Sequence, residues 1–160
     1  QSHVELLPFQ VKSVTPARSN AAPRAQVSRG NGAPLQQVSY TGPVRDVIEE
    51  AYRYLGTPYV YGGNTQNGID CSGLVKNCFA SLGISLPRRA SEQARVGMEV
   101  PLDQLQPGDR LYFSVKKQHD HTGIYLGNGY FIHAARSRGK VTVDHLSTPL
   151  YGNHLDAARR

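Results

Sequence analysis

The chain reads as an α+β domain whose helices come first and whose antiparallel sheet follows. Three observations predict this: the helical apolar period of VRDVIEEAYRYLG, a second helical stretch DCSGLVKNCFASLG, and the alternating runs RLYF, HTGIYLG and YFIHAA after them. Helices followed by hairpin-linked strands settle as helices packed on one antiparallel sheet. With 160 residues the chain is sized for one such domain.

Taken in order, residues 1–43 hold five prolines and three glycines among many polar residues, with no sustained apolar period, and are expected to form a flexible tail or linker. Val4 to Val14 is apolar enough to be considered as a docked strand. The folded domain is expected over 44–160. Its first helix places Val44, Val47, Ile48, Ala51 and Leu55 on one face, with Pro43 in the first turn and Gly56 at the end. Residues 57–70 are rich in Gly, Asn and aromatics and read as a loop. A second helix runs from Asp70 to Gly83, burying Leu74, Val75, Cys78, Phe79 and Leu82, with Cys71 on the same stripe. Ser91 is a candidate cap for a brief helix, a strand is expected over about 110–115, and KVTVDH and HLDAARR offer two more strands.

Composition excludes several classes. The net charge of +6 is split evenly between tail and domain and forms no dense basic stripe, so nucleic-acid binding is not expected. No apolar run reaches membrane-spanning length. The two cysteines lie seven residues apart on one helix, about 10 Å between Cα atoms at ~1.5 Å rise per residue, too far for a disulfide.

Cys71 is then free for chemistry. A helix N-terminus favours an anion, so this position is expected to lower the thiol pKa, with Asp70 as N-cap and the slim Gly73 leaving room for substrate. A thiol nucleophile needs an imidazole partner and a group to orient it. His121 and His133 flank the Asn128-Gly129 turn signal, and the loop length decides whether they cooperate. A two-residue loop sets Ile124 opposite His133 and sends His121 to the other face; a three-residue loop, Gly127 to Gly129, sets Gly123 opposite His133 and brings both rings to one face. The second register also gathers Ile124, Leu126, Ile132 and Ala134 into an apolar set, while small Gly123 and Ala135 beside the histidines leave space for a helix end.

The succession GTPYVYGG, GIDCSGLV, LPR, PGDRLYF, HTGIYLGNGYFIHA and ARR resembles the NlpC-type family of bacterial cell-wall cysteine peptidases, from about Val44 to Arg160. The resemblance implies a papain-like core without cofactor or metal, and a peptidoglycan endopeptidase working on stem peptides or diaminopimelate cross-links. It implies Cys71 as nucleophile, His121 as general base and acid, His133 as the residue orienting His121, and Tyr59 as an aid to the oxyanion. Asp70, Ser72, Arg88 and Arg89 are candidate substrate-binding residues, the arginines for carboxylates of the stem peptide. The family pattern HVGIY is HTGIY here, and Arg110 stands where the pattern has Leu. The likeness to single-domain Gram-negative murein endopeptidases implies an exported, periplasmic monomer, with outer-membrane anchoring through an N-terminal lipidated cysteine outside this sequence. The competing readings are a zinc site built from Cys71, His119, His121 and His133, a non-catalytic wall-binding module, and a papain-like acyl transferase. Zinc is disfavoured by the lack of closely spaced ligand pairs. His3, His145 and His154 are expected at the surface or at strand edges, and Lys116, Lys117 and Asp120 in a solvated loop.

Overall fold

The computed structural model describes residues 38–160, so the expected tail, including Val4 to Val14 and His3, lies outside the described residues except for 38–43. Helix α1, Gly42–Arg53, opens at an extended Thr41 with Pro43 in its first turn. Its inner face is Val47, Ile48, Ala51 and Tyr52. The expected stripe is therefore rotated: Val44 is 36% exposed and Tyr52 is buried in its place. Just before the helix, the Tyr40 hydroxyl donates to the Leu126 carbonyl at 2.6 Å and ties its start to the sheet.

Within the expected 57–70 loop, strands β1, Asn64–Thr65, and β2, Gly68–Ile69, form a two-residue antiparallel ladder. Runs this short carry no readable alternation. Helix α2, Cys71–Ala80, is capped by Asp70 and leaves through Ser81 toward Gly83, whose φ of 80° suits glycine. A brief α3, Ala90–Gln93, has Arg89 rather than Ser91 at its N-cap; Glu92 reaches back to accept from the Arg89 backbone N–H at 3.4 Å.

The main sheet comprises β3, Arg110–Phe113; β4, His121–Gly127; β5, Tyr130–Ala135; β6, Lys140–His145; and β7, Leu155–Arg159. Its order is β6-β5-β4-β3-β7, with all named pairings antiparallel. A short α4, Pro149–Gly152, precedes β7 and was not evident from periodicity.

Each face of this sheet carries its own apolar cluster. Ile124, Leu126, Ile132, Ala134 and Val141 pack with Leu74, Val75 and Cys78 of α2 and the inner face of α1. Leu111, Phe113 and Phe131 pack on the other side with Tyr151 of α4, Val100 and Ala158. The meander thus has two buried faces, where the sequence suggested one core face and one left open for a helix end. Arg110 is almost fully buried and donates to the Gln93 carbonyl at 3.0 Å and the Tyr112 hydroxyl at 2.8 Å, joining α3 to β3. At the C-terminus, Arg160 clamps both oxygens of the buried Asp109.

Ile132 is fully buried on the α2 side. Truncation to alanine should cost about 2–5 kcal/mol through lost transfer energy and a cavity. The midpoint of urea unfolding, compared with wild type, measures it.

Candidate active site

The sulfur-bearing residue opens α2 because Asp70 is held in place to cap it. Asp70 Oδ1 accepts from the Gly73 N–H at 2.8 Å and Oδ2 from the Gly62 N–H at 3.0 Å. Arg88 grips the same carboxylate through both terminal nitrogens, at 3.0 and 3.1 Å, and donates to Ser72 Oγ at 3.0 Å and the Gly63 carbonyl at 3.2 Å. Gly73 has a packing reason beyond substrate access: a Cβ there would stand 2.6 Å from the Gly63 carbonyl oxygen. Arg89 begins α3 nearby and is exposed.

Helix position alone does not lower the thiol pKa. Burial pushes Cys71 up to about 11, against the stabilising N–H groups of Thr122, Ser72 and Cys71 itself, while the Asp70 charge adds to the rise. Desolvation of a thiolate outweighs the partial charge of one helix end. Thr122 is the backbone neighbour of His121, so its N–H on the sulfur places Cys71 at the start of β4. The Thr122 hydroxyl turns away and donates to the Leu111 carbonyl at 2.7 Å.

The two histidines share a face. In β4 and β5, Ile124 pairs with Ile132 and Tyr125 with Phe131, but Gly127 pairs with Tyr130, so one extra residue is absorbed at 126–127. The turn itself is Asn128-Gly129, both with positive φ, following Gly127 at φ 101°. The outcome is the register of a three-residue loop, reached by a two-residue turn plus a bulge. Continuing it sets Gly123 opposite His133, where a Cβ would stand 3.0 Å from the His133 Cβ and 3.2 Å from the Phe131 ring. His121 Nε2 lies 2.7 Å from His133 Nδ1.

This pair sits on the Phe113 and Phe131 side of the sheet, whereas the body of α2 packs on the other. The Thr122 N–H reaches the sulfur because Cys71 is the first residue of its helix and Thr122 the second of its strand, so the site is on the sheet's rim. Tyr151 stacks on His121 at 6.0 Å between ring centroids and meets His133 edge-on at 4.8 Å; Phe113 covers His121 at 5.5 Å. Burial lowers the His121 pKa to about 3, helped by the neighbouring His133 charge and opposed by Asp120 and Asp144. Burial also lowers His133, although the Asp144 hydrogen bond works to raise it. The imidazoles and the thiol are therefore all neutral near pH 7.

Tyr59 is fixed through its backbone, its N–H donating to the Gly139 carbonyl at 2.9 Å. Burial, then the proximity of the ionisable Cys71 and Asp70, raise its phenol pKa. His119 does not join: it has φ 51° outside the strand and pairs with Asp156 at 2.9 Å. Among the described residues no group of three or more His, Cys, Asp or Glu side chains is arranged to hold a metal ion. His145 staples the hairpin through the Asn128 carbonyl at 2.9 Å, and Asp120 accepts N–H groups from Val115, Lys116 and Lys117.

Two residues not singled out in the sequence belong to this cluster. Asp144 Oδ2 is 2.7 Å from His133 Nε2, and Tyr151 covers both rings. Alternation within KVTVDH was a usable signal for the first: once Val141 and Val143 face the α2 side, Asp144 shares the histidine face.

A capped helix bearing a thiol at its first residue, set at the rim of an antiparallel sheet that carries paired imidazoles, defines a papain-like domain. The sequence model of the NlpC/P60 family matches residues 56–160, and the chain belongs to that family. It is 47% identical over 118 residues to the gamma-DL-glutamyl hydrolase of Bacillus subtilis, covering 71% of this chain and 28% of that protein. It is 36% identical over 115 residues to the murein DD-endopeptidase MepS/murein LD-carboxypeptidase of Escherichia coli, covering 71% and 61%. The chain thus spans less than two thirds of either relative. Among solved structures, an NlpC/P60 family protein from Bacillus cereus superposes with a TM-score of 0.69 at 35% identity, over 73% of this chain and 39% of that one. The NlpC/p60 domain of the peptidoglycan hydrolase SagA does so at 0.65 and 30%, over 73% and 97%.

Two expectations follow from the buried, neutral site. The rate of Cys71 alkylation by iodoacetamide should keep climbing with pH toward about 11, with Cys78 unlabelled in the folded protein; a preformed thiolate–imidazolium pair would instead level off below neutrality. Acid should destabilise the fold. An unfolded histidine takes up its proton near 6.5 and the folded His121 only near about 3, so the unfolded state binds more protons between these values and stability falls as pH falls through that window. Urea midpoints measured from pH 8 down to 4 should decline below 6.5, less steeply in His121→Asn.

Proposed function

We propose that this chain is a peptidoglycan hydrolase acting as a cysteine endopeptidase on amide bonds of stem peptides or of cross-links involving diaminopimelate. The observation that carries this reading is the 2.7 Å His121–His133 pair at the rim where the Thr122 N–H meets the Cys71 sulfur. As substrate arrives, His121 takes the thiol proton while Cys71 attacks the amide carbonyl, forming the carbon–sulfur bond. The carbonyl oxygen, now anionic, is met by the Tyr59 hydroxyl and by N–H groups at the start of α2. His121 returns the proton to the departing amine as the carbon–nitrogen bond breaks. Water, deprotonated by His121, then cleaves the thioester and restores the thiol. His133 keeps the His121 ring aligned throughout.

Asp70, Ser72 and Arg88 form a polar ledge beside the sulfur, and with Arg89 they are proposed to hold the anionic stem peptide. Both γ-glutamyl and D,D bonds are named among the relatives. The substrate lies outside the cytoplasmic membrane, so the reading carries export with it; a periplasmic location, monomeric action and outer-membrane anchoring through an N-terminal lipid are further parts of the proposal. No helix among the described residues is long and apolar enough to cross a membrane.

Defined muropeptides incubated with wild type and Cys71→Ala, read by mass spectrometry, test the proposal. Wild type should release new amines whose masses identify the bond, and Cys71→Ala should release none. Intact muropeptide after wild-type incubation would leave a wall-binding module, and products joined to an added amine would indicate a transferase. The paired change Arg88→Gln and Arg89→Gln should raise KM; unchanged turnover would remove the arginines from substrate binding.

A further inference from the structure

The hydrogen-bonded line does not stop at His133. Asp144 on β6 reaches the buried ring with Oδ2 at 2.7 Å from Nε2, and Arg138 fixes the carboxylate from outside, its Nε at 3.2 Å from Oδ2 and its Nη2 at 3.0 Å from Oδ1. Arg138 also lies over the Tyr151 ring at 5.6 Å, and the Tyr151 hydroxyl is 2.9 Å from Ser137 Oγ. The β5–β6 turn therefore forms a closed brace around the outer edge of the histidine pair.

We propose that Asp144, clamped by Arg138, is a positioning residue that sets the direction of the whole chain of hydrogen bonds and so decides which nitrogen of His121 is free to act as base. The argument is one of donor and acceptor inventory. An ionised carboxylate only accepts. Its charge persists because the His133 and Arg138 hydrogen bonds hold its pKa below the usual carboxylate range against the opposing effect of burial. His133 must then carry its proton on Nε2, which leaves Nδ1 as an acceptor in the neutral ring. The 2.7 Å contact with His121 requires one proton, so it comes from His121 Nε2. The neutral His121 is left with an unprotonated Nδ1, the only nitrogen able to receive the thiol proton. Reversing any one link reverses all of them and would leave the proton of His121 on Nδ1. This inference deepens the hydrolase reading and rests on it for its catalytic consequence, but the direction of the hydrogen bonds stands independently.

Asp144→Asn supplies the test. The two Arg138 donors favour the amide oxygen, which turns the amide N–H₂ toward His133 and makes Nε2 the acceptor. Long-range ¹H–¹⁵N spectra of the imidazoles in wild type should show both rings protonated at Nε2, and in Asp144→Asn a shift of His133 to the Nδ1–H form. On muropeptide substrate the variant should lose about 10- to 100-fold in kcat with KM little changed, a fraction of the roughly 10²- to 10⁴-fold that general acid–base catalysis contributes. Arg138→Met, which leaves Asp144 in place but unclamped, should lose less and keep the wild-type tautomers, and serves if Asp144→Asn does not fold. A wild-type His133 protonated at Nδ1, or an Asp144→Asn protein with wild-type kcat, would overturn the assignment. Wild-type tautomers as assigned in a protein that cleaves no muropeptide would overturn the hydrolase reading alone.

Discussion

One extra residue in β4, absorbed at 126–127, governs the site. Without it, the Asn128-Gly129 turn would carry its two-residue register down the whole hairpin, and His121 would project through the sheet away from His133. With it, Ile124 and Ile132 align on the α2 side and the two imidazoles meet on the other. The positive φ of Gly127, Asn128 and Gly129 is the backbone form of this arrangement. The hydrophobic pattern and the bulge thus select the same register, as expected of a chain whose local and global preferences agree.

Burying the strand faces on both sides has an electrochemical consequence. Phe113 and Tyr151 flank His121, and Phe131 and Tyr151 flank the fully buried His133, so desolvation lowers the pKa of both rings, that of His121 to about 3. Cys71 is likewise held as the thiol. A site of neutral partners has its reactivity set by which atoms carry protons rather than by a standing charge separation, which makes hydrogen-bond direction the controlling variable. Asp144 reaches the cluster through His133 at one end, and the backbone N–H groups of Thr122, Ser72 and Cys71 meet the sulfur at the other.

Acidic groups anchor the frame around this cluster. Asp70 accepts from two backbone N–H groups and a guanidinium, so it fixes the N-terminus of α2 relative to the 62–63 turn and to Arg88. Asp109 does the same for the C-terminal Arg160, next to β3. Asp120 collects three N–H groups immediately before His121 and sets where β4 begins. Each lies one residue before a strand or helix that carries the site or its support, where a misplaced backbone would move a reacting atom.

Much was legible in the residues alone. The helices α1 and α2, the Asp70 cap, the four-strand meander and the common face of His121 and His133 all follow from periods of 3.6 and 2, from turn chemistry and from the need to bury Ile124 and Ile132 together. Tertiary structure decided what those rules do not contain. It replaced Val44 by Tyr52 on the inner face of α1, filled the histidine face with Phe113, Phe131 and Tyr151, and raised the thiol pKa that helix position alone would have lowered. It also joined Asp144 and Arg138 to His133 across two strands and a turn. The physical reason is common to all of these: local sequence specifies the spacing of groups along one element, while burial, desolvation and contacts between elements depend on which surfaces the folded chain brings together.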